Sequence, residues 1–312
     1  MTTGLLYGVI YLALLVFLTG CVIRALEYAR LPIHLRWELY PVPHEEASRV
    51  EHGGSYFEEP DWWKKPRRFN LSSEIGFMVP EMIFLKGLWE FNRKLWSRSF
   101  PFHFGLYLSI ASAGLLGADA LVSLARPIWT NGLVETGILY VCEATGILGS
   151  LLVIVGSLGL LARRLSDEDM RTYTVPGDIL NLVFFAVSFA LLLSGYAFSG
   201  RQFAGMLAFA RGMLTLDPSV PVPGLLAAGM ACAALLAAYV PYTHMSHFIA
   251  KYFTYHSVRW DDRVNVRGGE LERKVAEYLT YRPTWSAPHI AGQGLKTWAE
   301  VAAANPALEK KK

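Results

Sequence analysis

Apolar residues in this chain gather in long, nearly charge-free runs, not at the three-and-four spacing of an amphipathic helix or the alternation of a strand. Five runs lie near the ~20 residues an α-helix needs to cross about 30 Å of hydrocarbon. They cover roughly 4–23, 103–125, 133–162, 178–199 and 222–250. The third is long enough to tilt or protrude. The pattern predicts an all-α integral membrane bundle of five transmembrane helices. The first run has no positive segment before it and is followed by Arg24 and Arg30, so it is expected to be a retained helix and not a cleaved signal.

The polar positions complete the outline. A long stretch, about 25–100, separates the first and second runs and holds PVPHEE, SYFEEPDWWKK and KKPRRF. Within it, Glu74 to Ser99 mixes Trp, Phe and Leu with Lys and Arg, the composition of an interfacial amphipathic helix. Residues 1–250 are expected to form the membrane domain, loop 25–100 included, and 251–312 a polar tail that docks a partner subunit. Basic residues crowd the first loop, the 163–177 connection (Arg163, Arg164, Arg171) and the tail. The opposite side carries only Arg126, Arg201 and Arg211. The positive-inside rule then predicts a cytoplasmic-membrane protein with its N-terminus outside and its C-terminus, first loop and tail in the cytoplasm.

Composition agrees: 53% of the 312 residues are hydrophobic, too many for an ordinary soluble domain. The net charge of +3 matters only through its placement, and lipid, not nucleic acid, is the expected surface. Cys21, Cys142 and Cys232 all fall within apolar runs and form no CxxC pair, which argues against an iron–sulfur cluster or zinc site held by cysteine.

Eight histidines remain. His34, His44 and His52 in the first loop and His289 in the tail are most simply solvent-exposed. The other four gather at one membrane face: His103 opens the second run, and His244, His247 and His256 stand at the end of the fifth. The second and fifth helices run in opposite directions, so His103 and His247 reach similar depth. Two histidines at equal depth on separate spans can clamp a haem iron, although histidines at a helix end also sit simply in the headgroup region. His244 and His247, three residues apart, are expected to share one helix face, with Pro241 placed to kink it. Glu143, about ten residues into the third run, is an ionisable group at membrane depth and a candidate proton route or quinone contact. Asp119 and Glu135 are expected near the outer interface, and Asp178 as a helix cap. Arg98, Lys251 and Arg259 are candidates for haem propionates or plain interfacial anchors.

The stretch RRLSDEDMRTYTVPGDILNL (Arg163–Leu182), FHFG at the second span and the Pro-aromatic-Thr-x-x-x-His-like ending of the fifth resemble the gamma subunit of respiratory nitrate reductase. SAPHI and TWAEVAAANP in the tail are similar to the cytochrome b subunits that partner heterodisulfide-reductase-like iron–sulfur proteins in the sulfate-reducer transmembrane and Dsr complexes. The resemblance spans about 1–24 and 100–305 and leaves loop 25–100 unaccounted for. It implies two stacked haems on four histidines, with the inner pair matching His103 and His247. The outer pair would fall on Ala113 and Gly229, neither of which can ligate iron. One haem b is therefore expected, with His244 the alternative ligand to His247.

The resemblance implies a membrane cytochrome b subunit of a respiratory redox complex. It would pass electrons between menaquinone or ubiquinone and a cytoplasmic iron–sulfur partner, either heterodisulfide-reductase-like or nitrate-reductase-beta-like. The alternative is a haem-free membrane anchor that recruits a soluble redox enzyme. A transporter fits the paired end-of-span histidines less well.

Overall fold

The computed structural model describes residues 1–30, 60–61, 64, 71–125, 132–200, 203–253, 265–283 and 294–304. Among them every regular element is helical. Five helices are long and apolar enough to cross a membrane. These are α1 (Thr3–Arg30), α4 (Arg93–Ala125), α5 (Leu133–Ser166), α7 (Pro176–Phe198) and the span that begins with α9 (Gly224–Tyr239). Shorter helices are α2 (Leu71–Ile83), α3 (Lys86–Phe91), α6 (Glu168–Tyr173), α8 (Phe203–Thr215), α10 (His247–Phe253), α11 (Glu270–Leu279) and α12 (Trp298–Ala302).

Two compact units divide the chain: 1–22 with 76–246, and 23–75 with 247–312. In the first, apolar side chains cover the outside of the spans. Leu12, Leu15 and Leu18 of α1 are about 60% exposed (63%, 62% and 59%), as residues facing lipid would be. Small residues fill the inside. A Cβ placed on Gly156 of α5 would lie 2.5 Å from the Phe102 backbone nitrogen on α4, and one on Gly105 would lie 2.7 Å from Gly149 O. The α4 and α5 backbones therefore touch, the close approach that small residues permit where lipid removes the hydrophobic incentive to associate. Phe102, Val153, Phe185, Phe189 and Leu236 make the main apolar cluster.

Connections follow local chemistry. Asp167 caps α6 by accepting from Met170 N at 3.2 Å, and Pro176 opens α7 with Asp178 accepting from Val175 N at 3.2 Å. Asp178 is thus a cap, as expected.

Two expectations change, and one connection gains a helix. The segment expected as one interfacial helix, Glu74 to Ser99, is instead α2, α3 and the first turns of α4. Leu85 in the left-handed region (φ 52°) breaks the first from the second, and Asn92 the second from the third. The 200–222 connection carries a helix, α8, which is too short to span and so leaves no run of membrane length. The fifth run is not one helix. Pro241, which lacks an N–H, is fully buried against α1, where a Cβ on Gly20 would sit 2.9 Å from the proline Cβ. Thr243 Oγ1 then donates to Val240 O (3.0 Å) and accepts from Met245 N (3.1 Å), so side chain replaces backbone in the turn. Two 3₁₀ turns, Val240–Tyr242 and His244–Ser246, follow before α10. His244 and His247 consequently stand on different elements and do not share the face expected of them.

In the second unit, Tyr28 and Phe253 pack with ring centroids 5.8 Å apart. The tail helices α11 and α12 are joined by Tyr278 stacked on Trp298 and by Trp298 N donating to Tyr281 O at 2.9 Å.

Candidate functional site

His103 lies ten residues into α4, half-buried, one turn beyond the buried Ser99. Its Nδ1 is 2.8 Å from Ser99 O and 3.3 Å from Ser99 Oγ. A carbonyl oxygen can only accept, so Nδ1 carries the proton. In a neutral ring the lone pair is then on Nε2, the arrangement that metal-binding imidazoles adopt when a backbone carbonyl fixes their tautomer. Phe102 meets the His103 ring edge-on at 5.3 Å. The residues present fit a haem ligand at this position.

His244 has a different environment. Its Nε2 is 3.5 Å from Asp178 Oδ1, while Asp178 Oδ2 receives Arg164 Nη1 at 3.0 Å. Arg164 also reaches Thr174 Oγ1 at 3.4 Å. His244 is therefore engaged with the α5–α7 polar junction through Nε2. His247, exposed, is the first residue of α10 and belongs to the second unit. Arg98 donates to Lys94 O at 2.7 Å, within its own helix. Lys251 lies on α10. His34, His44, His52, His256, His289, Arg126, Arg201 and Arg259 lie outside the described residues.

The positions matched to an outer ligand pair hold no donor. Ala113 lines a cavity between α4, α5 and α7. Gly229 is pressed against α7, where a Cβ would be 2.6 Å from Leu192 N. The cavity measures about 210 Å³. A cavity of about 150 Å³ takes one benzene ring, so this one has no room for a four-pyrrole macrocycle. The residues here do not fit a second haem.

Glu143 borders the same cavity, and the Tyr196 hydroxyl of α7 donates to its Oε1 at 2.5 Å. Further along α5, Glu135 is paired with Arg211 of α8, and Arg211 Nε donates to Ser123 Oγ of α4 at 2.7 Å. Glu135 and Asp119 are 4% and 3% exposed. Both side chains are turned into the protein, not toward solvent. Arg211 is the residue that sequence reasoning misses, since it enters there only as a topology marker. An arginine inside a thirteen-residue apolar stretch was the available signal.

Residues 88–263, more than half of the chain, match the nitrate reductase gamma subunit family. No curated protein matches the chain.

Proposed function

The chain belongs to the nitrate reductase gamma subunit family, and from that premise we propose that it carries electrons between a membrane quinone and an iron–sulfur partner through one b-type haem. The family is one of membrane cytochrome b subunits of respiratory complexes that work with other subunits. The observation that supports the finer reading is the His103 tautomer. A ring whose Nδ1 proton is held by Ser99 O would, when neutral, carry its lone pair on Nε2, the nitrogen through which it could ligate a haem iron.

His103 and His247 are the proposed ligand pair. His247 is chosen over His244 because the family pattern favours it and because His244 Nε2 faces Asp178. Haem b supplies a one-electron carrier when bound. The chain's own residues fix the ring of His103, exclude a second macrocycle at Ala113 and Gly229, and present basic segments to a cytoplasmic partner. That partner is a heterodisulfide-reductase-like or nitrate-reductase-beta-like iron–sulfur subunit. The quinone is menaquinone or ubiquinone, and the N-terminus is outside.

The test is a visible spectrum of the purified protein with its co-purifying subunits. Dithionite reduction is expected to give the α band of a low-spin haem b. A spectrum with no such band would replace this reading with the haem-free anchor.

A further inference from the structure

From Gly76 onward, α2, the turn at Leu85 and α3 belong to the same compact unit as α4. The thirteen residues of α2 rise only about 20 Å, too little to cross a membrane. Two side chains of α4 close its far end. The Tyr107 hydroxyl donates to Met82 O at 2.8 Å, and Trp96 Nε1 donates to Phe84 O at 2.8 Å. These carbonyls stand at the end of a helix, where the helix has no N–H of its own to offer them. The turn closes other groups locally. Phe84 N donates to Pro80 O at 3.0 Å, Gly87 N to Glu81 Oε2 at 2.8 Å and Trp89 N to Leu85 O at 3.1 Å.

The depth of these bonds decides what surrounds them. Between Arg98 and Asp119, α4 carries no acidic side chain, lysine or arginine, and that stretch is about as long as hydrocarbon is thick. Tyr107 lies about 12 Å of helix rise past Ser99, where the stretch begins. Its side chain leans back toward the start of α4, but by less than that rise, so Met82 O is met inside the apolar zone. A carbonyl in water needs no such donor, whereas one in lipid has no other source. The outer side chains agree. Val79, Met82, Ile83 and Phe84 are exposed and apolar, and they continue the surface formed by Tyr107 and Ile110 of α4. Polar and aromatic groups resume past the turn. Lys86 pairs with Glu90 at 3.6 Å, Arg93 stands 4.5 Å over the Trp89 ring, and Trp89 meets Trp96 edge-on at 4.6 Å. Tryptophan with cations is the composition of a membrane–water boundary.

We infer that residues 76–87 are a re-entrant element that enters one leaflet beside α4, turns at Leu85 and returns to the same face, with the acyl chains of that leaflet as the partner of its outer side. Tyr107 and Trp96 fasten it, and along α4 they bracket His103. The element precedes the part of the chain that matches the family, so it is an addition to that plan. Because it returns to the side it came from, the five spans and the sidedness of the chain ends are unchanged.

The experiment uses the full chain in phosphatidylcholine nanodiscs, in a background lacking Cys21, Cys142 and Cys232. Single nitroxide labels are placed through Val79→Cys, Ile83→Cys and Phe84→Cys. Leu115→Cys on the exposed side of α4 is the lipid reference, and Asp169→Cys on α6 is the water reference. Power-saturation EPR compares collisions with oxygen, which concentrates in lipid, and with a nickel chelate, which stays in water. Labels at 79, 83 and 84 are expected to favour oxygen over nickel, with the same sign as position 115. Nickel access like that at position 169 would put the turn in water, and protection from both reagents would put protein over it. Either result overturns the inference. Tyr107→Phe combined with Trp96→Phe removes both donors and keeps aromatic rings. The label at 84 should then gain nickel contact while the label at 115 stays unmoved. An unchanged depth at 84 would overturn the fastening by these two residues. The labels in the parent background decide lipid burial even where the double variant does not fold.

Discussion

His244 points its Nε2 at Asp178 Oδ1, 3.5 Å away, and the same carboxylate is held from the other side by Arg164 at 3.0 Å. One aspartate thus caps α7, receives an arginine from the end of α5 and engages a histidine from the turn after α9. The other two contacts use Asp178 Oδ2 and do not involve the histidine. His244→Ala is therefore expected to keep a low-spin haem, with at most a shift in potential. His103→Ala, with no second histidine in α4 to replace it, should lose the haem or leave a high-spin species. His247→Ala should do the same. Electronic and EPR spectra of the three purified variants check the order. Loss of the low-spin signal in His244→Ala alone would move the ligand to the 3₁₀ turn.

Stoichiometry follows from the packing at Gly229. The α9 backbone lies so close to α7 that a Cβ would meet Leu191 C at 2.7 Å and Leu192 N at 2.6 Å, so the helices leave no gap for a plane of pyrroles. A pyridine haemochrome assay is expected to return one haem b per polypeptide. Installing the missing donors with Ala113→His and Gly229→His should not raise that number, because the second substitution forces α7 and α9 apart. Two haems in the wild type would overturn the assignment.

The five spans and their order were legible because charge-free runs of membrane length have few other uses. The break at Pro241 was only half legible. A proline signals a kink, but the 3₁₀ geometry depends on Thr243 capping its neighbours and on Gly20 receiving the proline ring, a contact 221 positions away in sequence. The position of His103 was visible, whereas its protonation was not, since the carbonyl of Ser99 is a backbone group common to every residue. Glu143 stood out as a charge at depth. Its partner Tyr196, 53 residues further on, did not, because a tyrosine in an apolar run carries no signal of what its hydroxyl meets.

Close backbone approach should also show in stability. Gly156 sits where a side chain would enter the Phe102 backbone, and backbone cannot swing aside as a flexible side chain can. Gly156→Val should destabilise the α4–α5 pair by about 1–3 kcal/mol or more, the usual range for overpacking. Gly117, which has nothing within 4 Å of a built Cβ, should tolerate the same change. Thermal unfolding in detergent, followed by circular dichroism, compares the two.

Orientation is open to labelling. The clustering of Lys and Arg predicts that position 55 and position 303 lie on one side of the membrane. Single cysteines placed there in a background lacking Cys21, Cys142 and Cys232 should both resist a membrane-impermeant maleimide in intact cells and react after lysis. Labelling at position 55 with protection at 303 would contradict an odd number of spans arranged in this way.

The buried ion pair between Arg211 and Glu135 gives the last expectation. Glu135 is held by α5 with its side chain 5% exposed, and Arg211 comes from α8, whose Leu207 and Phe209 are buried. Arg211 also donates to Ser123 on α4, so the guanidinium ties three helices at one point. Removing one partner of a buried pair leaves a charge without compensation and costs about 3–5 kcal/mol, whereas replacing both by apolar groups of similar size is often neutral. Glu135→Ala should therefore lower stability by that order, and Arg211→Met somewhat less, since its side chain is 29% exposed. The double variant Glu135→Leu with Arg211→Met should recover most of the loss. A double-mutant cycle on unfolding midpoints measures the coupling. If the double variant is no better than Glu135→Ala, the pair is not the fastening of α8, and its two charges serve something other than packing.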